Sequence, residues 1–188
     1  MNQSDHKGFA TTALEVVHSW AMFRLLRRTI IGPRGDEFDR TYVSTPGAVG
    51  VVALTPDNQI ILVSQYRSSF DDYVLEIPAG MRDVEGEDPA RTAWRELAEE
   101  TGYVPRTVEY LGSCLSSPGV TDSVLELFIA RDVVAGGSAP EGPEELDMKV
   151  LVIPFSEALS MVDRGELTDA KSSVGILLAA RLFHDLGL

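Results

Sequence analysis

Four glutamates, Glu87, Glu96, Glu99 and Glu100, have the types and spacing to do chemistry, in the stretch GMRDVEGEDPARTAWRELAEETGY from Gly80 to Tyr103. Asp88 followed by Pro89 predicts a helix start, because an Asp N-cap accepts from first-turn amides and Pro suits the first helical position. Gly102 predicts its stop. Within those limits Ala90, Ala93, Trp94, Leu97 and Ala98 recur at helical spacing and are predicted to face the core, Trp94 included. Glu96 and Glu100, four residues apart, share another face, with Glu99 beside them. The acids crowd the last turn, where the helix dipole disfavours negative charge, and only Arg95 offers a close intrahelical counter-ion, four residues from Glu99. A solvated charged face is the plain alternative. Carboxylates at that spacing repel unless a cation joins them, and all-oxygen donors suit a hard ion such as Mg2+ or Mn2+. A divalent metal site is the economical reading.

The chain that must position these acids has 188 residues, 44% of them hydrophobic, enough for one α/β domain with a sizeable core. Its formal net charge of −13 argues against a nucleic-acid or anionic-membrane surface, so an anionic substrate needs local cations. Cys114 is the single cysteine, which excludes an intramolecular disulfide and a cysteine zinc cluster and suggests a strand-core thiol. His6, His18 and His184 lack metal-ligand spacing. The opening MNQSDHKGF has no signal-peptide pattern and no apolar run reaches spanning length, so a cytoplasmic protein is expected.

In chain order, residues 1 to about 12 read as a frayed tail. The β-rich run Glu15 to Ile31 precedes the turn Gly32-Pro33-Arg34-Gly35-Asp36, and Phe38 to Val43 returns, predicting an N-terminal antiparallel hairpin or short sheet over 1–45. Arg24, Arg27 and Arg28 make it locally basic, as a binding surface or a solvated strand face. The second domain spans 46–188. There AVGVVAL from Ala48 and the segment Gln59 to Gln65 read as a buried hairpin around Pro56-Asp57-Asn58, and Tyr73 to Ile77 as a short strand leading into Pro78-Ala79-Gly80. Val108–Leu115, Ser123–Ala130 and Met148–Ile153 are further strand candidates. The loop from Ala135 to Asp147 carries Glu141, Glu144 and Glu145. Ser156 and Asp169 can cap two closing helices, the second with Val174, Leu177, Leu178, Arg181 and Leu182 on its mostly apolar face.

The Gly80 to Tyr103 stretch resembles the Nudix box of the Nudix hydrolases, Gly-x5-Glu-x7-Arg-Glu-(aliphatic)-x-Glu-Glu-x-Gly-(apolar). Gly80, Glu87, Arg95, Glu96, Leu97, Glu99, Glu100, Gly102 and Tyr103 take the expected types. One extra residue separates Gly80 from Glu87, which touches the loop path through Met81 to Gly86 and leaves the helix register intact. The resemblance implies an α/β/α sandwich with a mixed sheet. It also implies metal-assisted hydrolysis of a nucleoside diphosphate derivative, with Mg2+ (or Mn2+) on Glu96, Glu100 and the Ala79 carbonyl. Glu99 would be a further ligand or orient water, while Glu87, Arg95 and Gly80 would brace the ligands.

The order Pro-Gly-Ala-Val, Gln-Tyr-Arg, Glu-x-Pro-Ala-Gly, box, Ser-Pro-Gly, acidic loop and two helices is similar to the ADP-ribose pyrophosphatase subgroup. In that likeness Pro118, sixteen residues after Gly102, is the downstream marker, with a simple turn as its alternative. The subgroup implies a base on the loop after the box, Glu145 first and Glu144 second. Arg67 would be a phosphate contact, or else a surface ion pair with Asp71 or Asp72. Trp20 would stack on adenine or lie in the core, and the protein would be a homodimer with exchanged N-terminal strands. The expected reaction gives AMP and ribose 5-phosphate from ADP-ribose. A nucleotide sugar, NADH or a flavin dinucleotide as substrate, and a non-catalytic nucleotide sensor, are the competing readings.

Overall fold

The structure, a computed structural model, describes residues 8–136 and 147–186, so Glu141, Glu144 and Glu145 lie outside the described residues. The chain divides into two compact units, one holding the described residues up to Pro46 together with Ser117–Ser123, the other holding Gly47–Ser116 and the chain from Val124 onward.

The N-terminal unit is an antiparallel meander of β1 (Ala10–Trp20), β2 (Phe23–Ile31) and β3 (Glu37–Ser44). The run from Glu15 to Ile31 is thus two strands. It reverses between Trp20 and Phe23, which face each other across the turn, with Ala21 at φ 45°. Such two-residue reversals need positive φ, and because Ala is a poor signal for it the break is hidden in the sequence. Strand β1 already begins at Ala10, inside the stretch expected to be a tail. It is exposed along its whole length. Arg27 pairs with Glu15 at 3.3 Å on that exposed surface, whereas Arg28 lies over the Tyr42 ring and donates to its hydroxyl at 2.8 Å. In Ser117–Ser123 the Val120 carbonyl accepts from the Val43 amide at 2.8 Å, and the Asp122 side chain accepts from the Thr45 amide at 3.0 Å.

The second unit is built on a seven-stranded mixed sheet with helices on both faces. Its main path runs β12 (Lys149–Pro154), β5 (Gln59–Arg67), β4 (Ala48–Leu54), β10 (Val124–Arg131) and β9 (Thr107–Leu115); only the β4–β10 pairing is parallel. Strand alternation sends each residue to one of two cores. Val52, Leu54, Ile60, Leu62, Leu127 and Ile129 pack toward helices α2 (Phe155–Asp163) and α3 (Ala170–Leu186). Val49, Val51, Ala53, Ile61, Phe128 and Ala130 pack toward helix α1 (Pro89–Thr101). Two short strands, β8 (Tyr103–Val104) and β11 (Val134–Ala135), pair with each other beyond α1.

Strands β4 and β5 are hydrogen-bonded only at Ala53–Ile61 and Leu54–Ile60, and then splay apart. The wedge is filled by β6 (Asp72–Glu76), which pairs with β5, and by β7 (Ala79–Met81), which pairs with the start of β4. Between them the Pro78 carbonyl accepts from the Val51 amide at 2.9 Å. Short as it is, β7 fixes the backbone of Ala79 and Gly80 in mid-sheet.

Helix α1 starts and stops where the sequence predicts. The Asp88 side chain accepts from the Ala90 amide at 2.9 Å, and Gly102 closes the helix in the left-handed region at φ 72°. Its buried face is Thr92, Ala93, Leu97 and Thr101. Trp94, expected in the core, is 44% exposed, because it lies about 100° around the helix from Ala93 and so falls on the flank. The threonines take the covered positions with satisfied hydroxyls, Thr92 donating to Glu87 and Thr101 to the Leu97 carbonyl. In α3 the fully buried apolar side chains are Ile176 and Ala179, and Val174, Leu178 and Leu182 of the expected face pack beside them, while Leu177 is 47% exposed. Helix α2 starts at Phe155, with Pro154 rather than Ser156 at its N-cap and no side-chain cap. Asp169 does cap α3, accepting from the Ser172 amide at 3.0 Å.

Leu97 is fully buried between α1 and the sheet. Leu97→Ala is expected to lower the unfolding free energy by about 2–5 kcal/mol, read from the denaturation midpoint at unchanged slope.

Candidate functional site

The C-terminal half of α1 lies against the β7 backbone. Any Cβ at residue 80 would fall inside the Glu96 carboxylate, so Gly80 is required for room. One turn further on, Glu100 accepts from the Ala79 amide at 3.0 Å. The two acids predicted to share a helix face therefore meet consecutive residues of one short strand, including the one whose carbonyl is expected to complete their ligand set.

Arg95 stands among the remaining acids. Its Nη1 lies 2.7 Å from Glu96 and 3.0 Å from Glu99, and its Nη2 3.3 Å from Glu87 and 3.4 Å from Asp83. Glu87 also accepts from the Thr92 hydroxyl at 3.0 Å. Burial would push the Glu87 carboxyl up, but the hydrogen bonds from Thr92 and Arg95 and the charge of Arg95 bring it below its ordinary range. The loop with the extra residue turns at Gly86, φ 78°, and still delivers both Asp83 and Glu87 to Arg95.

Glu96 and Glu100 are shifted the other way. Burial raises Glu96 to about 7, against the pull of Arg95 and with a further push from Glu99. Burial raises Glu100 to about 8, against the Ala79 amide and the charges of Arg67 and Lys171, with Glu96 adding repulsion. For both acids the nearby positive charge is too little to offset burial. Among the described residues no three Asp, Glu, His or Cys side chains converge in a ready metal-binding geometry, and Arg95 lies between Glu96 and Glu99. The donor set itself, buried carboxylates with a backbone carbonyl, fits a hard divalent ion.

Arg67, at the end of β5, is gripped by Glu76 through two hydrogen bonds of 2.7 Å, from Nε and Nη2. Neither Asp71 nor Asp72 is its partner; Asp71 accepts from the Tyr66 hydroxyl instead. The Arg67 side chain remains 39% exposed and lines a recess of about 390 Å3 with Ala79, Gly80, Met81, Ser116 and Lys171. A second recess of about 500 Å3, lined by Asn58, Arg131, Phe155 and Phe183, opens at the other end of β4 and holds none of the predicted site residues. Cys114, in β9, borders the first recess and packs half-buried against the core.

The structure therefore brings together Ala79, Gly80, Glu87, Arg95, Glu96, Glu99 and Glu100, with Arg67 on the recess beside Ala79 and Gly80. Trp20 and Pro118 both belong to the N-terminal unit. Trp20 is 44% exposed and stacks between His18 and Phe23, so it is no core residue. Pro118 is exposed in the turn closed by the Val120 and Thr121 amides on the Ser117 carbonyl. From the sequence Asp169 has a capping role only, and neither Glu76 nor Lys171 has a site role. A lone acid inside the apolar segment Tyr-Val-Leu-Glu-Ile was the available signal, since a carboxylate in a buried strand must have a cation.

The mixed sheet with helices on both faces and a carboxylate-bearing helix laid on a glycine strand match the fold expected of the Nudix hydrolases. The chain matches the family model described as NUDIX domain over residues 44–173, and it belongs to that family. It is 34% identical over 166 residues to the methanol dehydrogenase activator of Bacillus methanolicus, an alignment covering 88% of this chain and 89% of the relative. At the same identity and coverage it is similar to the ADP-ribose pyrophosphatase of Bacillus subtilis (strain 168). The fold is shared with a solved ADP compounds hydrolase, at a TM-score of 0.83 and 20% identity over 95% of this chain and 96% of that one.

The raised acids set a pH dependence. Between about 4.5 and the values of about 7 and about 8, the metal-free folded protein keeps protons that the unfolded chain has lost, so its stability falls as pH rises through that window. Thermal melts in EDTA should therefore decline from about pH 5 to about pH 8, and excess Mg2+ should restore the melting temperature most at the upper end. Flat melts across the window would contradict these assignments.

Proposed function

We propose that this protein is a Mg2+-dependent ADP-ribose pyrophosphatase, releasing AMP and ribose 5-phosphate. The observation that carries the reading is the pair Glu96 and Glu100, buried against Ala79 and Gly80 without matching counter-charge, next to the recess that Arg67 lines. The similarity to an ADP-ribose pyrophosphatase over most of both chains supports the substrate. The family uses divalent ions; Mg2+ is the one proposed here, with Mn2+ as a substitute.

Glu96, Glu100, the Ala79 carbonyl and Glu99 would hold the metal, which when bound neutralises phosphate charge and makes water a better nucleophile. Arg67 binds a phosphate oxygen with the edge of its guanidinium that Glu76 leaves open. Glu145, or Glu144 as second choice, accepts the proton of the attacking water as the new phosphorus–oxygen bond forms and the bridging bond breaks. Glu87 and Arg95 brace the ligands, and Gly80 leaves them room. Trp20 serves adenine stacking and Pro118 substrate binding.

The reading extends to assembly and place. The N-terminal element, 1–45, pairs two copies by strand exchange, and 46–188 is the hydrolase domain. Strand β1 is a sheet edge whose Leu14, Val16, Val17 and Trp20 are each 40–57% exposed in the single chain, an apolar surface suited to a second copy. The enzyme is proposed to work in the cytoplasm on a small molecule, without nucleic acid or membrane. Among the described residues no helix is long and apolar enough to cross a membrane.

Products assayed with Mg2+ against ADP-ribose, NADH, a flavin dinucleotide, GDP-mannose and a nucleoside triphosphate should show the highest kcat/KM for ADP-ribose. Preference for another compound would keep the hydrolase and refute this substrate, and silence with both Mg2+ and Mn2+ would favour a sensor. Glu100→Gln should lower kcat by about 100-fold or more and weaken metal binding, since it removes a charged hard ligand. In contrast, Glu145→Gln should lower kcat by about 100-fold, the usual worth of a general base, with metal affinity unchanged. If Glu144→Gln is the damaging change instead, the base is the second-choice residue.

A further inference from the structure

Four charged side chains apart from the acids around Arg95 converge at the first turn of α3: Arg67, Glu76, Asp169 and Lys171. Glu76 is only 3% exposed, a depth at which a carboxylate must be paired and hydrogen-bonded. It accepts from Arg67 through Nε and Nη2 and from the Lys171 ammonium. Lys171, 14% exposed along its side chain, also donates to Asp169 at 3.0 Å. The next residue, Ser172, is fully buried; its hydroxyl donates to Asp169 and accepts from the Ile77 amide at 2.7 Å. One helical turn therefore holds two consecutive residues of the strand end that runs on to Ala79, whose amide in turn holds Glu100.

Charge decides between two roles for Lys171. Arg67 and Lys171 are balanced by Glu76 and Asp169, so the ammonium is no surplus charge waiting for a phosphate. It is shielded and committed to two carboxylates. Arg67 differs, being 39% exposed on the recess with Nε and Nη2 turned to Glu76. The orientation of that guanidinium is set by Glu76, and the position of Glu76 by Lys171 as well as by the sheet. A bidentate grip loses its value if the carboxylate that defines its plane can rotate.

We infer that Lys171 is a positioning residue for nucleotide binding: by holding Glu76 through the carboxylate oxygen that Arg67 Nη2 also bonds, it sets the angle at which Arg67 meets the phosphates of a nucleoside diphosphate. This rests on the proposed contact between Arg67 and phosphate. Lys171 itself touches no substrate.

The test is ADP binding to the full chain by calorimetry in EDTA, where nothing turns over. Lys171→Met, which keeps the aliphatic stem, is expected to bind ADP about tenfold more weakly, a coupling of the size that contacting charged networks show. Lys171→Arg should recover affinity to within about twofold, as a retained cation on Glu76 allows. In an Arg67→Ala background Lys171→Met should add no further loss, because the effect passes through Arg67. With Mg2+ and ADP-ribose, the same variant should raise KM about tenfold while kcat stays within about threefold. A lysine that only stabilised the fold would lower the melting temperature and leave ADP affinity intact. Wild-type affinity in Lys171→Met, a further tenfold loss in the Arg67→Ala background, or no ADP binding by the wild type would each overturn the inference. Should Lys171→Met fail to fold, Lys171→Gln carries the same measurement. Wild-type protein that binds ADP but leaves ADP-ribose intact would count against the proposed substrate and not against the lysine.

Discussion

Carboxylates buried without enough positive charge are unstable as anions, and the second unit of this protein holds two of them, Glu96 and Glu100, against a strand of three residues. Their burial follows from backbone placement. The splay of β4 from β5 admits β7, the absence of a side chain at Gly80 lets Glu96 in, and the Asp88 and Gly102 caps set the phase of α1. Arg95 relieves part of the repulsion by holding Glu87, Glu96, Glu99 and Asp83 on one guanidinium. The remainder is left for a ligand to relieve, which is how a site comes to have affinity.

Counter-charge is distributed in two separate groups. Around Arg95 one guanidinium meets four acids, with only the exposed Arg91 added at 3.8 Å from Glu87; around Glu76 two cations serve two. The first group is short of positive charge and the second is balanced, although both lie within reach of Glu100, which feels Arg67 and Lys171 as well as Glu96. In a chain of net charge −13 this leaves a neutral group beside the recess while the protein as a whole repels anions.

Helix α1 and its acids were legible because their signals are local. Asp-Pro at the start, Gly at the stop and the four-residue spacing of Glu96 and Glu100 act within one element. The buried strands β4 and β5 were legible from their apolar runs. Strand β7 was not, since Ala-Gly-Met has no periodicity and its pairing is fixed by the divergence of two other strands. Nor was the break at Ala21, where a positive φ falls on a residue with no preference for it. Trp94 misled because an apolar residue on a helix flank looks like one on its buried face, whereas Thr92 is covered because Glu87 satisfies its hydroxyl. Glu76 announced a need for a cation; that Lys171, ninety-five positions later, answers it is a fact of topology that no local pattern carries.

The parallel pairing of β4 with β10 joins Ala48–Ala53 to Leu125–Ala130 across the whole of α1 and β9. Such contacts close a long loop before they return any stabilisation, so their entropic cost falls ahead of their gain. Helix α1 can gather transiently on its own caps, but the strand it must meet is held in a wedge whose walls depend on that distant pairing. A chain in which β4 and β10 have not yet paired therefore has the glutamates without their cradle.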